Sequence, residues 1–223
     1  MLRKEFANMV VTMMLAAMMA NLLFLSCSRT EPRIPFGFID LIYYQGDTTV
    51  QERFTFFIIA EDDDGIVNLD ELRLYHDREG LEWIISSADW VHYEEENRHW
   101  VGSRSIAMVD DYNLPRGQYR AVLFNKGGEK SERNFTFDAP ETPRFPFPVL
   151  KIDNNYYLVE SEYPKNSFIV YDQQGNSIRI IDVQYTEANI VDLRLPANAR
   201  FLALWAQDED YRTSALTKVV SLR

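Results

Sequence analysis

The chain has 223 residues, 13% of them aromatic, and a formal charge of −11 at neutral pH. Such a charge repels nucleic acid and anionic lipid surfaces on average, so no nucleic-acid partner is expected. Cys27 is the only cysteine, which excludes an intramolecular disulfide. The N-terminus opens with Arg3 and Lys4, continues as an apolar run over 10–25, and places the small Ser26 directly before Cys27. That order of charge, apolar run and small residue predicts a secretory signal over 1–26. An uncleaved anchor is the other reading, since about 20 apolar residues span a bilayer. Asn8, Thr12 and Asn21 interrupt the run, however, and no positive cluster follows to stop transfer.

The sequence Phe24-Leu25-Ser26-Cys27 resembles the lipobox of bacterial lipoproteins, in the loose form common among spirochaetes. It departs from the commoner pattern at Phe24, where an aliphatic residue is usual, and at Leu25, where Ala or Ser is usual. The resemblance implies that the Cys27 thiol takes a diacylglycerol, that cleavage falls just before it, and that the new amino terminus is acylated, palmitate being a fitting chain. A lone cysteine in an exported protein then has a role. Two or more acyl chains anchor firmly where one binds only marginally. Ser28 is not the Asp that resembles an inner-membrane retention signal, so the expected location is the cell envelope, on the outer membrane.

Residues 27–35 are polar and contain Pro32 and Pro35, the composition of a short tether. After them helical periodicity is scarce. Strands are expected over 36–44, 53–60, 69–75, 81–85, 90–93, 98–101, 118–124 and 134–137, split by turn residues. Glu94 to Asn97 is expected to close a hairpin that pairs Tyr93 with Arg98 and faces His92 with His99. Short strands at this spacing suggest a sandwich over 36–138. Leu114-Pro115-Arg116-Gly117-Gln118-Tyr119, followed by alternating Ala121 and Leu123, resembles the tyrosine corner of immunoglobulin-like and fibronectin type III-like domains. The resemblance implies their all-β fold and says nothing of function.

Four prolines fall within 139–148 and predict an extended linker, with Phe145 and Phe147 available to dock on a neighbour. Beyond it, strands are expected over 150–159, 167–171, 177–183, 190–195, 201–207 and 216–222, with Gln173-Gln174-Gly175-Asn176 as a hairpin turn. A second, smaller β-sandwich over 149–223 follows, so the reading is two immunoglobulin-like sandwiches in tandem.

Three groups of residues invite chemistry. The acidic turn around Asp62, Asp63, Asp64 and Gly65 tests as an EF-hand with Gly65 at the sixth position. Ala60 then occupies the first ligand position and the entering segment reads as strand, so an exposed turn fits better than a calcium loop. His92 and His99 on one sheet face suit zinc or copper, but the sequence identifies no third or fourth ligand, and surface histidines are the plainer reading. Trp83, Trp90 and Trp100, near Tyr93 and Tyr112, either fill the core or form a patch that stacks on sugar rings or anchors a partner. No nucleophile elbow, phosphate loop or His-Glu-x-x-His is present, and no cofactor is expected. The expected function is a non-catalytic, lipid-anchored interaction or structural module of the envelope, its partner a protein or polysaccharide. Carbohydrate or small-ligand binding through the aromatic patch, and an enzyme with an unrecognised site, are the alternatives.

Overall fold

Alternation of apolar and polar side chains governs nearly every ordered segment of the computed structural model, which describes residues 30–46, 49–109 and 112–222. In β1 (Gly37–Gln45) Ile39, Leu41 and Tyr43 are buried while their neighbours are half-exposed. β2 (Val50–Ile59) buries Phe54, Phe56 and Ile58 in the same phase. These strands pair antiparallel, and β2 pairs on its far side with β6 (Arg98–Ala107), which pairs with the edge strand β5 (Val91–Glu95). A second sheet, ordered β4-β3-β7-β8, comprises β3 (Leu69–His76), β4 (Leu81–Ser86), β7 (Gly117–Asn125) and β8 (Lys130–Phe137). Leu72 and Leu74 of β3 and Tyr119, Ala121 and Leu123 of β7 close over Phe54, Phe56 and Ile58, forming the first sandwich. Burial drives this association: each fully buried large apolar side chain contributes about 1.5–3 kcal/mol.

The tyrosine corner is present. Gly117 takes φ 128°, a conformation that side chains rarely adopt, and this turns the chain into β7. Tyr119, two residues on, donates its hydroxyl proton to the Pro115 carbonyl at 2.7 Å. Its ring is fully buried, edge-on to Phe54 at 5.3 Å. The fold is therefore an all-β, immunoglobulin-like sandwich.

The second half repeats the architecture with thinner layers. β9 (Val149–Asp153), β10 (Tyr156–Glu160) and β13 (Glu187–Asn189) form a three-stranded sheet in the order β13-β10-β9. It covers β11 (Lys165–Tyr171) and β14 (Phe201–Asp208), with Tyr157 edge-on to Phe168 at 4.9 Å. β12 (Ser177–Asp182), β15 (Thr213–Leu216) and β16 (Val220–Ser221) complete this side.

One sheet runs through both sandwiches. β1 pairs in parallel with β15, Leu41 opposite Thr213 through Tyr44 opposite Leu216. The order β12-β11-β14-β15-β1-β2-β6-β5, with β16 attached to β14, is thus a single nine-stranded sheet. The core follows the sheet: Ala206 and Ala215 from the second half lie in the first core.

The proline-rich stretch 139–148 carries no strand and is held at several points. Arg116 donates from Nε to the Ala139 carbonyl (2.9 Å) and from Nη2 to the Pro140 carbonyl (2.7 Å), and the latter also accepts from the Tyr43 hydroxyl (3.1 Å). Arg144 pairs with buried Asp208 at 2.9 Å and stacks over Tyr211 at 3.8 Å. Phe145 meets Tyr163 at 5.0 Å.

Four local expectations change. Segment 150–159 is a hairpin, because Asn154 takes φ 52° and turns β9 into β10. Segment 190–195 is a 3-10 turn, Ile190–Leu193, ended by Arg194 in the left-handed region. Segment 216–222 breaks at Thr217, so β14 changes partner from β15 to the short β16. The segment expected as a tether is docked from Thr30 onward. Arg33 exchanges two backbone hydrogen bonds with Glu61, Ile34 is buried, and the Asn125 side chain donates to the Thr30 carbonyl at 3.0 Å. Among the described residues no helix is long and apolar enough to cross a membrane.

Candidate interaction face

The side of the nine-stranded sheet facing away from the cores carries the second set of alternating side chains. On β1, β2, β6 and β5 that set includes four clustered aromatic rings. Phe38 lies opposite Phe57, and Tyr93 opposite Trp100. Phe38 stands 5.6 Å from Trp100 and 5.9 Å from Phe57, which stands 5.4 Å from Tyr93. Tyr93 and Trp100 stack at 6.0 Å with their planes within 6°. Phe36, half-exposed at the margin, meets Trp100 edge-on at 6.0 Å.

Gly102 brings β6 close against the β2 main chain. It pairs with both Phe57 and Val91, and a Cβ there would stand 2.0 Å from the Phe56 carbonyl oxygen. Only glycine lets the β2 backbone pass this close. Phe57 is only 2% exposed despite lying on the outer side. Two arginines frame the rings: Arg104 at 6.0 Å from Phe57 and Arg212 at 5.7 Å from Phe38. Arg212 also pairs with Asp40 at 2.7 Å. Burial raises the Asp40 carboxyl above its ordinary range, and the guanidinium partly opposes this. Each aromatic pair adds about 0.5–1.5 kcal/mol beyond area burial, so the patch is preorganised.

The tryptophans divide. Trp100 belongs to the outer face. Trp83 and Trp90 pack against the first core, and the Trp83 indole donates to the Ala107 carbonyl at 3.0 Å. Tyr112 is exposed.

The expected hairpin register is corrected. Glu96 and Asn97, both with positive φ, make a two-residue turn, so Glu95 pairs with Arg98, Tyr93 with Trp100, and His92 with Val101. Two-residue loops with left-handed residues match strand twist better than four-residue loops, which explains the shift. The imidazoles still meet diagonally, His92 Nε2 and His99 Nδ1 standing 3.2 Å apart. Among the described residues no three His, Cys, Asp or Glu side chains converge on a metal position.

Two carboxylates of the acidic turn, Asp62 and Asp63, are engaged within the fold. Asp62 accepts from the Asp64 backbone N–H (2.9 Å) and from the side chains of Asn68 (3.0 Å) and Asn125 (3.3 Å). Asp63 pairs with Arg33 at 3.2 Å. Cys27, the expected lipidation residue, lies outside the described residues.

Sequence reasoning missed Glu52 and Arg116. Glu52 sits in phase with Phe54 and Phe56 and is 5% exposed. Arg116 grips it with two parallel bonds, Nη1 to Oε2 at 2.7 Å and Nη2 to Oε1 at 2.8 Å. The Leu114 N–H donates to the same carboxylate at 2.9 Å. The signal was available: a carboxylate at a core position of an alternating strand requires a buried cation.

No protein-family model and no curated protein matches the sequence. Among solved structures, the chain is similar to dimeric latent PorU from Porphyromonas gingivalis, 11% identical with a TM-score of 0.34 over 87% of this chain and 20% of that one. It is also similar to the N-terminal Ig1-2 module of the Drosophila receptor protein tyrosine phosphatase DLAR, 12% identical with a TM-score of 0.39 over 86% and 98%. A third is Tp47, the 47-kilodalton lipoprotein of Treponema pallidum, 11% identical with a TM-score of 0.35 over 86% and 51%. The chain thus spans about a fifth of the first of these structures and half of the third.

Proposed function

We propose that this protein is a non-catalytic interaction module of a bacterial cell envelope, anchored through lipid on Cys27, that meets its partner with the aromatic face of β1, β2, β6 and β5. The observation that carries the interaction is the ring cluster Phe36, Phe38, Tyr93 and Trp100 on the solvent side of a rigid sheet, edged by Arg104 and Arg212. Trp, Tyr and Arg are the residues that dominate binding energy at protein interfaces. The lipobox-like run ending in the only cysteine supports the anchor. Three residues of extended chain reach about 10 Å. With Thr30 docked, an acylated Cys27 would therefore hold the first sandwich directly at the membrane surface. Outer-membrane placement is part of the same proposal.

Two measurements test it. A palmitate analogue fed to cells should label the wild type and not Cys27→Ala, and membrane retention should fall with the label; equal labelling in both sinks the anchor. A photo-crosslinker replacing half-exposed Phe36 should give a discrete adduct in intact envelopes that Trp100→Ala abolishes. An adduct indifferent to Trp100→Ala overturns the role of the face.

A further inference from the structure

We propose that a hollow at the other end of the same outer face, floored by Tyr44, Tyr171 and Phe201, binds a neutral sugar ring, a glucose or N-acetylglucosamine unit of a glycan. The hollow has a volume of about 380 Å³, within the range of about 300–1,000 Å³ typical of ligand clefts. It opens where β14 passes from β15 to β16, a notch that the break at Thr217 creates. Tyr171 lies opposite Phe201, and Tyr44 opposite Leu216, so four apolar groups from four strands share one side. Their counterparts Tyr43, Val170, Leu202 and Ala215 point into the cores.

The turn that edges the hollow carries neutral amides. Gln173 and Gln174 stand on the β11–β12 turn with exposed amides, each able to donate and accept. Asp172 holds that turn, accepting from the backbone N–H of Gln174 (2.9 Å) and Asn176 (2.8 Å) and from the Asn176 side chain (3.1 Å). Those bonds keep its carboxyl below the usual range. A turn fixed before binding loses little entropy on binding. No side chain lining the hollow carries a formal charge at neutral pH, and just beyond the lining the Arg53 guanidinium stands over the Tyr44 ring at 3.9 Å. Burial and the nearby Tyr44 raise the Tyr171 phenol, which keeps it un-ionised. Thr217 is already committed, its hydroxyl accepting from the Leu204 N–H and donating to the Lys218 carbonyl.

An aromatic floor with amide groups above it matches a pyranose whose substituents are all equatorial. The C–H face of such a ring is apolar and its hydroxyl edge takes amide hydrogen bonds. The net charge of −11 disfavours an acidic sugar. The hollow is separate from the Trp100 cluster, so its failure leaves the proposed interaction face standing.

The test is saturation-transfer NMR on the full-length protein, in a detergent without a sugar head group, with cellotetraose and with the N-acetylglucosamine tetramer. Saturation should reach the ring C–H protons of at least one probe. Tyr171→Ala should weaken binding at least about 10-fold through the lost stacking surface. Gln173→Ala with Gln174→Ala should weaken it about 5-fold with unchanged melting, as expected for exposed hydrogen-bonding groups. Trp100→Ala, which should abolish the envelope crosslink, should leave the saturation transfer to the sugar as it is in the wild type. Silence with both probes overturns the proposal, as does binding that follows Trp100 instead of Tyr171. If Tyr171→Ala fails to fold, the double glutamine variant decides alone, and undiminished binding there is also fatal.

Discussion

The two sandwiches share a sheet but not a manner of being held together. The first encloses Phe54, Phe56, Tyr119 and Phe137 and adds a buried ion pair that reaches the linker. The second has a smaller core around Phe168, Val170, Leu202 and Leu204. Its strand β15 completes the first half as much as its own. Ala215 faces the first core, and the Arg212 carbonyl, just before β15, accepts from the Leu41 N–H at 3.1 Å. A thin sandwich is stable here because its central strands continue a thicker one. Small domains bury too little surface to stand securely alone.

The strongest way to break that comparison is Phe168→Ala. Removal of a fully buried ring costs about 3–5 kcal/mol. Because β14 and β15 join the halves, the loss should lower a single unfolding transition monitored by tryptophan fluorescence and far-UV circular dichroism together. Two separated transitions would mean that the seam does not couple the halves.

Arg116 tests the other side. Arg116→Ala strands Glu52 in the core and removes both linker contacts, a loss of about 3–5 kcal/mol typical of a broken buried pair. Replacing both partners, Arg116→Met with Glu52→Leu, should recover most of that, since a buried pair is often neutral against apolar groups of similar volume. The Leu114 N–H then loses its acceptor, so recovery stays incomplete by about 1–3 kcal/mol. Urea unfolding of the three proteins gives the order directly. A double variant as unstable as the single one would show that linker anchoring, not the stranded charge, is the main contribution.

The pattern of strands was legible because period-two alternation survives in β1, β2, β3 and β7, and because Gly117 and Tyr119 carry a local signature. The β1–β15 seam was not. A parallel pairing between residues more than 170 apart leaves no local mark, and the prolines of 139–148 read as a separator whatever the strands on either side do. The Trp100–Tyr93 contact was foreseen as an aromatic neighbourhood, but in a register shifted by the left-handed turn at Glu96 and Asn97. Such a turn is hard to foresee at a glutamate, which rarely adopts positive φ. Phe38 and Phe57 were missed for a different reason. Outer-face aromatics look like core residues in sequence, and Phe57 is nearly as buried on its side as Phe56 is in the core.

The smallest of the expected effects lies at the seam itself and is read through pH. Tyr43 on β1 and Tyr163 before β11 are both buried, and desolvation pushes each phenol up to about 12. Glu52 adds to this at Tyr43, and Asp208 at Tyr163. In the unfolded chain a tyrosine ionises near about pH 10. The folded form therefore binds these protons more tightly. Their stabilising contribution is complete below the unfolded value and is lost as pH rises from about 10 through the folded value. Absorbance at 295 nm should show most tyrosines ionising before the seam pair, whose titration should coincide with loss of near-UV circular dichroism. Tyr43→Phe with Tyr163→Phe removes both phenols and should move that loss to higher pH, although Tyr43→Phe also forfeits the hydrogen bond to the Pro140 carbonyl. An unchanged alkaline transition in the double variant would place the weak point away from the junction of the two sandwiches, and would make Tyr119, whose phenol burial also pushes up, the group to test next.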